Sequence, residues 1–345
     1  MAVSPTSGLA RSRPVGHLAL LKLLADGELH SGEWLAQRLG VSRTAVWKGI
    51  ERLRTLGIDV EGVPRRGYAL PWAVELLEDC AIRRVLSRER AARLRSLDVQ
   101  FDVDSTNSRL LAAQPPPNGC ADALLCELQR VGRGRRGRPW VTAFGGSIAL
   151  SIAWSFVHAA EVSPALSLCA GVAVARALAR AGAQGVLLKW PNDIWLGDRK
   201  MGGVLIELRA EAGGPAHVVI GVGVNAALAP QVRARIEAEG VRVAAVADAS
   251  AVAPSRNVIA GAIIDELLSM LTQFEQDGFA GFREAWLAVD ALRDRPVRVL
   301  VGTRVVAGTA RGVDSQGALR LESEDGRRHE FVSGEVSLRL AGDDI

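Results

Sequence analysis

The nine residues from Gly132 to Trp140 read GRGRRGRPW, which places four arginines and three glycines in the first seven positions. Arginine offers a rigid fork of donors to phosphate and carboxylate oxygens, and glycine lets the backbone turn sharply and approach a ligand closely. Arginine–glycine runs also occur in disordered RNA-binding tails. Here apolar, strand-like segments flank the run at 123–128 and 147–154. This context favours a folded loop that wraps an anionic ligand.

The composition is that of a globular protein, with 48% apolar and 23% charged residues in a chain of 345. A chain of this length predicts two or three domains. No apolar run reaches the ~18 residues that span a bilayer, and the N-terminus lacks the apolar core of a secretory signal. A cytoplasmic protein without membrane contact is therefore expected. The four cysteines form no CxxC pair and no histidine cluster accompanies them, so neither a metal site nor a disulfide framework is expected.

A winged helix-turn-helix domain is predicted over residues 14–72, after a disordered tail over residues 1–13. Ser31 and Ser42 are suited to cap helices, and Gly40 is suited to end the helix between them. The pattern predicts three helices followed by two short strands, at 17–25, 31–39, 42–57, 58–60 and 67–70. Helices joined by a tight turn, with a basic hairpin behind them, match the plan of a DNA-binding domain with a wing.

The positive charge of the chain is concentrated in this first domain. Residues 1–70 hold ten Lys or Arg and six Asp or Glu, and the remaining residues sum to zero. A basic excess at one end indicates a polyanionic partner, although the basic face of a small helical domain can also be merely solvated. The residues predicted to approach DNA lie on the third helix and at the hairpin tip: Arg43, Thr44, Lys48, Arg65 and Arg66.

Residues 73–292 predict a central domain in which helices cover one mixed sheet. The domain begins with an amphipathic helical connector over 73–97, and the strands that follow outnumber the helices without alternating with them, which argues against a doubly wound parallel sheet. Strands are predicted at 99–103, 124–128, 148–154, 186–189, 194–196, 203–208 and 218–224, and helices at 163–181 and 255–276. Residues 293–345 hold further short strands separated by glycines, at 297–301, 305–311, 319–322, 329–332 and 336–340. They predict a small β-barrel.

Polar motifs stand at the ends of several of these strands. The segment DSTN at 104–107 can fix a small polar ligand or cap a helix, and both roles can coexist. Lys189 opens KWPND at the end of an apolar strand, where its ammonium requires a partner: a ligand anion, Asp193 or solvent. GVGVN at 221–225 has glycines that allow close approach of a ligand. The chain has no GxxxxGK[ST], HExxH or GxSxG motif, which disfavours P-loop ATPases, zinc hydrolases and serine hydrolases.

Taken together, the motifs resemble one family. GRGRRGRPW, DSTN, KWPND, KMGG and GVGVN occur in the order and near the spacing of bacterial class II biotin–protein ligases. The N-terminal unit is similar to that of the bifunctional members, the biotin operon repressors (BirA type). The resemblance covers the chain from about residue 15 to about residue 340. The fold it implies is α+β: an N-terminal winged helix-turn-helix, a mixed-sheet ligase domain of the biotin/lipoate ligase type, and a C-terminal SH3-like β-barrel.

The resemblance also implies a reaction and its partners. Biotin and ATP, with Mg²⁺, would form biotinyl-5′-AMP, and biotin would then pass to a lysine on the biotin carboxyl carrier protein of acetyl-CoA carboxylase. The adenylate-bound protein would form a homodimer on operator DNA and repress biotin synthesis genes. Three alternatives remain open: a ligase with a vestigial DNA-binding domain, a lipoate or octanoate ligase, and a biotin-sensing transcription factor without enzymatic activity.

Site residues are carried over from the family by position. The catalytic residues would be Lys189, Arg133 and Arg135. The biotin-binding residues would be Ser105, Thr106, Asn107, Gln129, Arg133, Gly134, Arg135, Lys189, Gly221 and Gly223. The adenylate-binding residues would be Arg136, Arg138, Trp140, Asn192 and Asn225. The segment Arg209 to His217 matches a loop that closes on the adenine. Trp195 is bulkier than the family pattern and is expected to lie away from the ligand contacts.

Overall fold

The structure is a computed structural model that describes residues 16–158, 162–210, 214–302, 304–332 and 336–340. The chain divides after Leu76 into two compact units. The tail predicted over residues 1–13 lies outside these residues. The domain boundaries predicted at 72/73 and 292/293 stay predictions. Within the described residues, no helix is both long enough and apolar enough to cross a membrane.

From residue 16 onwards, the first unit contains three helices: α1 (His17–Leu24), α2 (Gly32–Leu39) and α3 (Arg43–Thr55). Ser31 caps α2 by accepting a hydrogen bond from the backbone of Trp34 at 3.1 Å, and Ser42 caps α3 in the same way. Gly40 ends α2 with a φ of 62°, a left-handed conformation that favours glycine. The predicted caps and stop therefore set the helix boundaries.

The hairpin behind α3 consists of β1 (Glu61–Val63) and β2 (Gly67–Ala69), which pair antiparallel. The first strand was predicted at 58–60, and this position is wrong by three residues. Ile58 and Val60 are buried, and the backbone oxygen of Val60 accepts hydrogen bonds from Arg54. These residues close the helical core, so the strand begins only after them.

The predicted helical connector over 73–97 is also wrong as a single helix. Two short helices occupy part of it, α4 (Asp79–Arg83) and α5 (Arg88–Arg93), and a strand begins at Leu94. Long-range bonds interrupt the helix: the backbone of Ser87 donates to Asp265 Oδ1 at 2.9 Å, and the Ser87 side chain caps α5. Amphipathic periodicity cannot detect partners so distant in sequence.

A seven-stranded mixed sheet forms the centre of the second unit. Its strands are β3 (Leu94–Val103), β4 (Ala121–Gln129), β5 (Ser147–Phe156), β6 (Val186–Lys189), β7 (Asp193–Leu196), β8 (Arg199–Ala210) and β9 (Ala216–Asn225). The spatial order is β3-β4-β5-β9-β8-β7-β6, with β3 and β4 parallel and the other neighbours antiparallel. The predicted mixed sheet is confirmed.

Helices lie on both faces of this sheet. The long helices α7 (Leu166–Arg180) and α9 (Arg256–Asp277) pack with alternate sheet residues in the main hydrophobic core. A short helix, α6 (Thr106–Ala112), begins directly after β3, and its Leu110 packs with residues of the opposite face, including Leu124. The sequence patterns had not located two further helices, α8 (Pro230–Glu237) and α10 (Arg283–Ala288).

The C-terminal part is a small five-stranded antiparallel sheet, formed by the short strands from which a small β-barrel is predicted. Its strands are β10 (Pro296–Val301), β11 (Arg304–Val313), β12 (Leu319–Glu322), β13 (Arg328–Phe331) and β14 (Val336–Leu340). They follow the order β13-β12-β11-β10-β14, and the register shifts between Ala310 and Val313. Buried residues of this sheet belong to the same core as the central sheet. Arg283 of α10 adds hydrogen bonds to the backbone oxygens of Val313 and Asp314.

Candidate active site and nucleic-acid interface

A cavity of about 930 Å³ lies in the second unit, against the central sheet. The fifteen residues that the family pattern assigned individually to catalysis or to ligand binding all line it: Ser105, Thr106, Asn107, Gln129, Arg133, Gly134, Arg135, Arg136, Arg138, Trp140, Lys189, Asn192, Gly221, Gly223 and Asn225. These residues come from segments up to 120 positions apart. The fold therefore gathers the separate motifs around one space, while their individual roles stay predictions.

The start of α6 supplies buried polar groups to this cavity. Ser105 caps α6 by accepting from the backbone of Ser108 at 3.3 Å, so a residue of the cavity wall is also a helix cap. The backbone and hydroxyl of Thr106 reach Gln129 Oε1 at 2.9 and 3.1 Å. Ser151 Oγ lies 2.7 Å from Thr106 Oγ1. These short polar groups are positioned before any ligand enters, which suits recognition of a small polar head group.

Two glycines of β9 allow side chains to lie directly on the sheet. A Cβ at Gly221 would collide with the amide of Asn107, and a Cβ at Gly223 would lie 2.5 Å from Cε2 of the Trp140 ring. Both glycines line the cavity, as expected. The close approach that the structure shows is nevertheless made by protein side chains, which thereby form the cavity wall.

The Gly-Arg loop, defined here as residues 132–140, is a closed hairpin. The Gly134 backbone donates to Arg138 O at 2.7 Å, and the Trp140 backbone donates to Gly132 O at 2.8 Å. Its tip is a tight turn at 135–137, where Arg136 has a φ of 59°. Burial lowers the pKa of the Arg135 guanidinium from its ordinary value, and this group lies 3.5 Å from Asn192 Oδ1.

Arg133, at the base of this loop, is paired with a residue that the sequence patterns had not singled out. Its guanidinium contacts both carboxylate oxygens of Glu207 at 2.9 and 3.1 Å and donates to Ser108 Oγ at 2.7 Å. Glu207 interrupts the apolar run VLIEL at 204–208 of β8. An acid in such a strand is costly without a partner, and this was the signal available in the sequence.

Lys189 ends β6 with only 7% of its surface exposed. Its ammonium lies 4.2 Å from the centroid of the Trp195 ring, and Trp195 is itself 6% exposed and lines the cavity. The expectation that Trp195 lies away from the ligand contacts is therefore wrong. Residues 187 and 195 face each other across the β6–β7 pair, which brings the ring diagonally next to residue 189. Asp193, a possible partner of Lys189, accepts a bond from Lys200 at 2.6 Å.

Hydrogen bonds hold the rest of the KWPND segment in place. Trp190 Nε1 donates to Gly317 O of the C-terminal sheet region at 3.1 Å, and Asn192 Nδ2 donates to Val204 O at 2.7 Å. At the end of β9, Asn225 Nδ2 donates to Ala244 O at 3.1 Å. Asn192 and Asn225 thus reach the cavity wall with their amide nitrogens engaged by the backbone.

The segment Arg209 to His217 does not take the place expected for an adenine loop. Residues 211–213 lie outside the described residues, and none of the other members lines the cavity. The reason is topological: Leu205 is the last residue of β8 in the cavity wall, and β8 and β9 stay paired beyond it as far as Ala210 and Ala216. A segment without a predicted role lines the cavity instead. It consists of Ile236, near the end of α8, and residues 239–243, which follow that helix.

The described residues contain no group of three or more His, Cys, Asp or Glu arranged to hold a metal ion. All four cysteines are free thiols. Carboxylates in the cavity wall are Asp193, Asp198 and Glu239. Mg²⁺ requires only one or two carboxylates when phosphate oxygens and water complete its shell, so this donor set fits a Mg²⁺ that arrives with a nucleotide.

The first unit presents the residues predicted to approach DNA on its surface. Arg43, Thr44 and Lys48 are exposed on α3, and Arg65 and Arg66 are exposed at the hairpin tip. Arg65 has a φ of 64°, which fits its position in the turn between β1 and β2. Trp47 lies among the α3 residues with 51% of its surface exposed. The surface combines cations with one aromatic side chain, as a DNA-reading helix can.

Comparison with known families divides the chain into three matched segments. Residues 17–69 match an HTH domain. Residues 104–225 match the biotin/lipoate A/B protein ligase family, and these residues include the polar motifs of the cavity. Residues 294–339 match the biotin protein ligase C terminal domain.

Similarity to individual proteins extends over nearly the whole chain. The bifunctional ligase/repressor BirA of Salmonella typhimurium is 39% identical over 94% of this chain and 98% of its own length. BirA of Escherichia coli K12 is 39% identical over 94% of this chain and 97% of its own. The solved biotin protein ligase from Aquifex aeolicus, in complex with biotin and ATP, covers 72% of this chain and 100% of its own, with 25% identity and a TM-score of 0.60. The chain therefore belongs to the biotin protein ligase family, with the domain order of the bifunctional ligase/repressor BirA.

Proposed function

We propose that the protein is a biotin–[acetyl-CoA-carboxylase] ligase that also acts as a biotin-responsive repressor. The observation that carries the ligase assignment is one cavity lined by all fifteen residues that the family pattern assigned individually to catalysis or to ligand binding. Similarity to the BirA proteins over 94% of the chain supports it, and so does the likeness to a ligase solved with biotin and ATP. The exposed basic surface of the first unit supports the repressor assignment.

In the first step, an oxygen of the biotin carboxylate attacks the α-phosphorus of ATP. The bond from this phosphorus to the bridging oxygen breaks, giving biotinyl-5′-AMP and pyrophosphate. The two reactants are both anions, so cations must offset their repulsion and the charge that develops on phosphorus. Lys189 and Arg135 supply this charge from the cavity wall. Mg²⁺ would add charge neutralisation on the triphosphate, with Asp193 as a protein ligand.

The buried hydroxyls and amides at the start of α6 bind the head group of biotin. Thr106 is bonded to Gln129 directly and to Asn107 through Ser151, and this set orients donors and acceptors at one end of the cavity. The adenosine half of the intermediate lies at the other end, against residues 239–243. The tip of the Gly-Arg loop covers the phosphate between them and excludes water, which would hydrolyse an acyl-adenylate.

In the second step, the neutral amine of a carrier lysine attacks the acyl carbon of biotinyl-5′-AMP. The bond from this carbon to the phosphate oxygen breaks, AMP leaves, the attacking nitrogen loses one proton to solvent, and biotin becomes an amide on the carrier protein. We test the reaction by incubating the full chain with biotin, Mg-ATP and a biotin carboxyl carrier domain. The carrier should gain the mass of one biotinyl group. Labelling by lipoate or octanoate in place of biotin would overturn the assignment of biotin as the substrate. Absence of any labelling would overturn the assignment of ligase activity.

Repression requires the adenylate-bound protein to dimerise and to bind operator DNA. A two-fold symmetric dimer matches an operator with two half-sites, because protein and DNA then share the same symmetry. Sedimentation with and without biotin plus ATP tests the dimer. A gel shift on the DNA upstream of the biotin synthesis genes, under both conditions, tests the repressor. A ligase whose DNA affinity is unaffected by biotin and ATP would leave the first unit without this regulatory role.

A further inference from the structure

Glu207 of β8 joins the base of the Gly-Arg loop to the start of α6. One carboxylate receives the Arg133 guanidinium at 2.9 and 3.1 Å and the Asn107 Nδ2 amide at 2.9 Å. We propose that Glu207 is a positioning residue that anchors the loop base through Arg133 and fixes the orientation of the Asn107 amide. This inference rests on the proposed ligase function of the same cavity.

The charge of Arg133 is directed away from the ligand space. Arg133 belongs to the cavity wall, yet its guanidinium is bonded to Glu207 and Ser108, and neither of these is a wall residue. Charge-assisted bonds to a carboxylate are shorter and stronger than neutral ones. Arg133 is therefore an anchor of the loop, in place of the catalytic cation that the family pattern suggested.

This anchor divides the Gly-Arg loop into two parts. Its base is held by the Arg133–Glu207 pair and by the two backbone bonds between 132–134 and 138–140. Its tip at 135–137 lies beyond these bonds and carries the half-buried Arg135. Closure over a ligand therefore moves the tip about a fixed base, and the cost of ordering the loop is reduced because the base is ordered beforehand.

Glu207 and the backbone oxygen of Leu205, which accept from Asn107 Nδ2 at 2.9 and 3.3 Å, determine together which way the Asn107 amide points. A carboxylate only accepts hydrogen bonds, so Asn107 must turn its NH₂ group towards Glu207 and its oxygen away. That oxygen lies 2.5 Å from Ser151 Oγ, which directs the single Ser151 proton to Asn107. The Thr106 hydroxyl, 2.7 Å from Ser151 Oγ, is then left to act as a donor. The pattern of donors and acceptors at the head-group end of the cavity thus depends on the Glu207 carboxylate, with the Leu205 backbone oxygen as a second acceptor.

The central test is Glu207→Gln, which keeps the shape of the side chain but removes its charge, and so weakens both the Arg133 pair and the stronger of the two bonds that orient the Asn107 amide. We expect the KM for biotin in pyrophosphate release to rise about tenfold. We expect kcat to change less than threefold, because Lys189 and Arg135 are retained. The fraction of adenylate released into solution, relative to biotin transferred to the carrier, should rise as well. Glu207→Asp keeps the charge and should restore most of the biotin affinity.

A double variant separates positioning from general damage. Arg133→Ala should reproduce the adenylate release of Glu207→Gln, and the combination of both should be no worse than either alone, because each removes the same pair. Glu322→Gln, which removes an Arg311–Glu pair on the C-terminal sheet, is the matched control and should leave the KM for biotin unchanged. A Glu207→Gln enzyme with a KM within twofold of the wild type would overturn the proposal. So would release effects of the two single variants that multiply in the combination. If the wild-type chain itself forms no adenylate, the proposed function fails instead.

Discussion

Replacing Trp195 by leucine removes the aromatic face that contacts the Lys189 ammonium. The ammonium lies 4.2 Å from the ring centroid, and both residues are at least nine-tenths buried. A cation–π contact in such a desolvated setting contributes about 2 kcal/mol, which corresponds to a rate factor of roughly 30 if the contact holds the ammonium where the reacting phosphate needs it. Trp195→Phe keeps a smaller ring and should lose part of this factor.

The measurement is single-turnover formation of biotinyl-5′-AMP at saturating biotin and ATP. The expected order of rates is wild type, then Trp195→Phe, then Trp195→Leu, with Lys189→Ala slower than wild type by about 10²–10³ as for loss of one preorganised electrostatic donor. Trp286→Leu removes another buried tryptophan, one that does not line the cavity, and so measures the effect of lost packing alone. Equal rates for the Phe and Leu variants, or an equal loss in Trp286→Leu, would refute the reasoning.

Four further changes test other parts of the molecule. Arg135→Gly should let the adenylate escape and label lysines of bystander proteins, and unchanged labelling on a blot would count against closure by the loop tip. Gly223→Ala places a methyl group 2.5 Å from the Trp140 ring and should lower kcat/KM for biotin about tenfold, as overpacking of about 1–3 kcal/mol would. Lys48→Ala should lower the slope of log affinity for DNA against log salt by about one, and an unchanged slope would remove Lys48 from the interface. Burial raises the pKa of Asp290 from 3.8 to about 6. The folded state therefore holds this proton more tightly than the unfolded state, and the free energy of unfolding falls by about 3 kcal/mol as the pH rises from below 3.8 through 6. Asp290→Asn should flatten that part of the stability curve in urea unfolding at several pH values.

Local chemistry in the sequence was sufficient for much of the fold. Ser31, Gly40 and Ser42 determine helix ends through bonds to residues at most four positions away, so their effect is readable from spacing alone. The mixed sheet was also predictable, because the balance of strands over helices is a property of the whole segment. The cavity residues could be named because the motifs are specific in combination, although spacing gives no information about which side chain contacts which.

Partners that are distant in the chain account for what the sequence did not reveal. The pattern over 73–97 predicts one helix because nothing near Ser87 in the sequence shows that its backbone N–H will donate a hydrogen bond to Asp265. Residues 239–243 contain no recognisable motif, and they line the cavity because the chain turns towards it after α8. The contact of Trp195 with Lys189 depends on the register of the β6–β7 pair, which a pattern of apolar residues does not determine.

The Gly-Arg loop shows why residue type alone overstates the charge available to a ligand. A count of its arginines gives four positive charges, yet Arg133 already has a carboxylate partner in Glu207. Arg135 is half-buried at the tip, where desolvation lowers the pKa of its guanidinium and a ligand anion would stabilise its charge. Arginines two positions apart thus differ in the free energy that each can contribute to binding a phosphate. Because this difference arises from the position of one acidic residue on a neighbouring strand, the function of the loop depends on the sheet beneath it as much as on its own sequence.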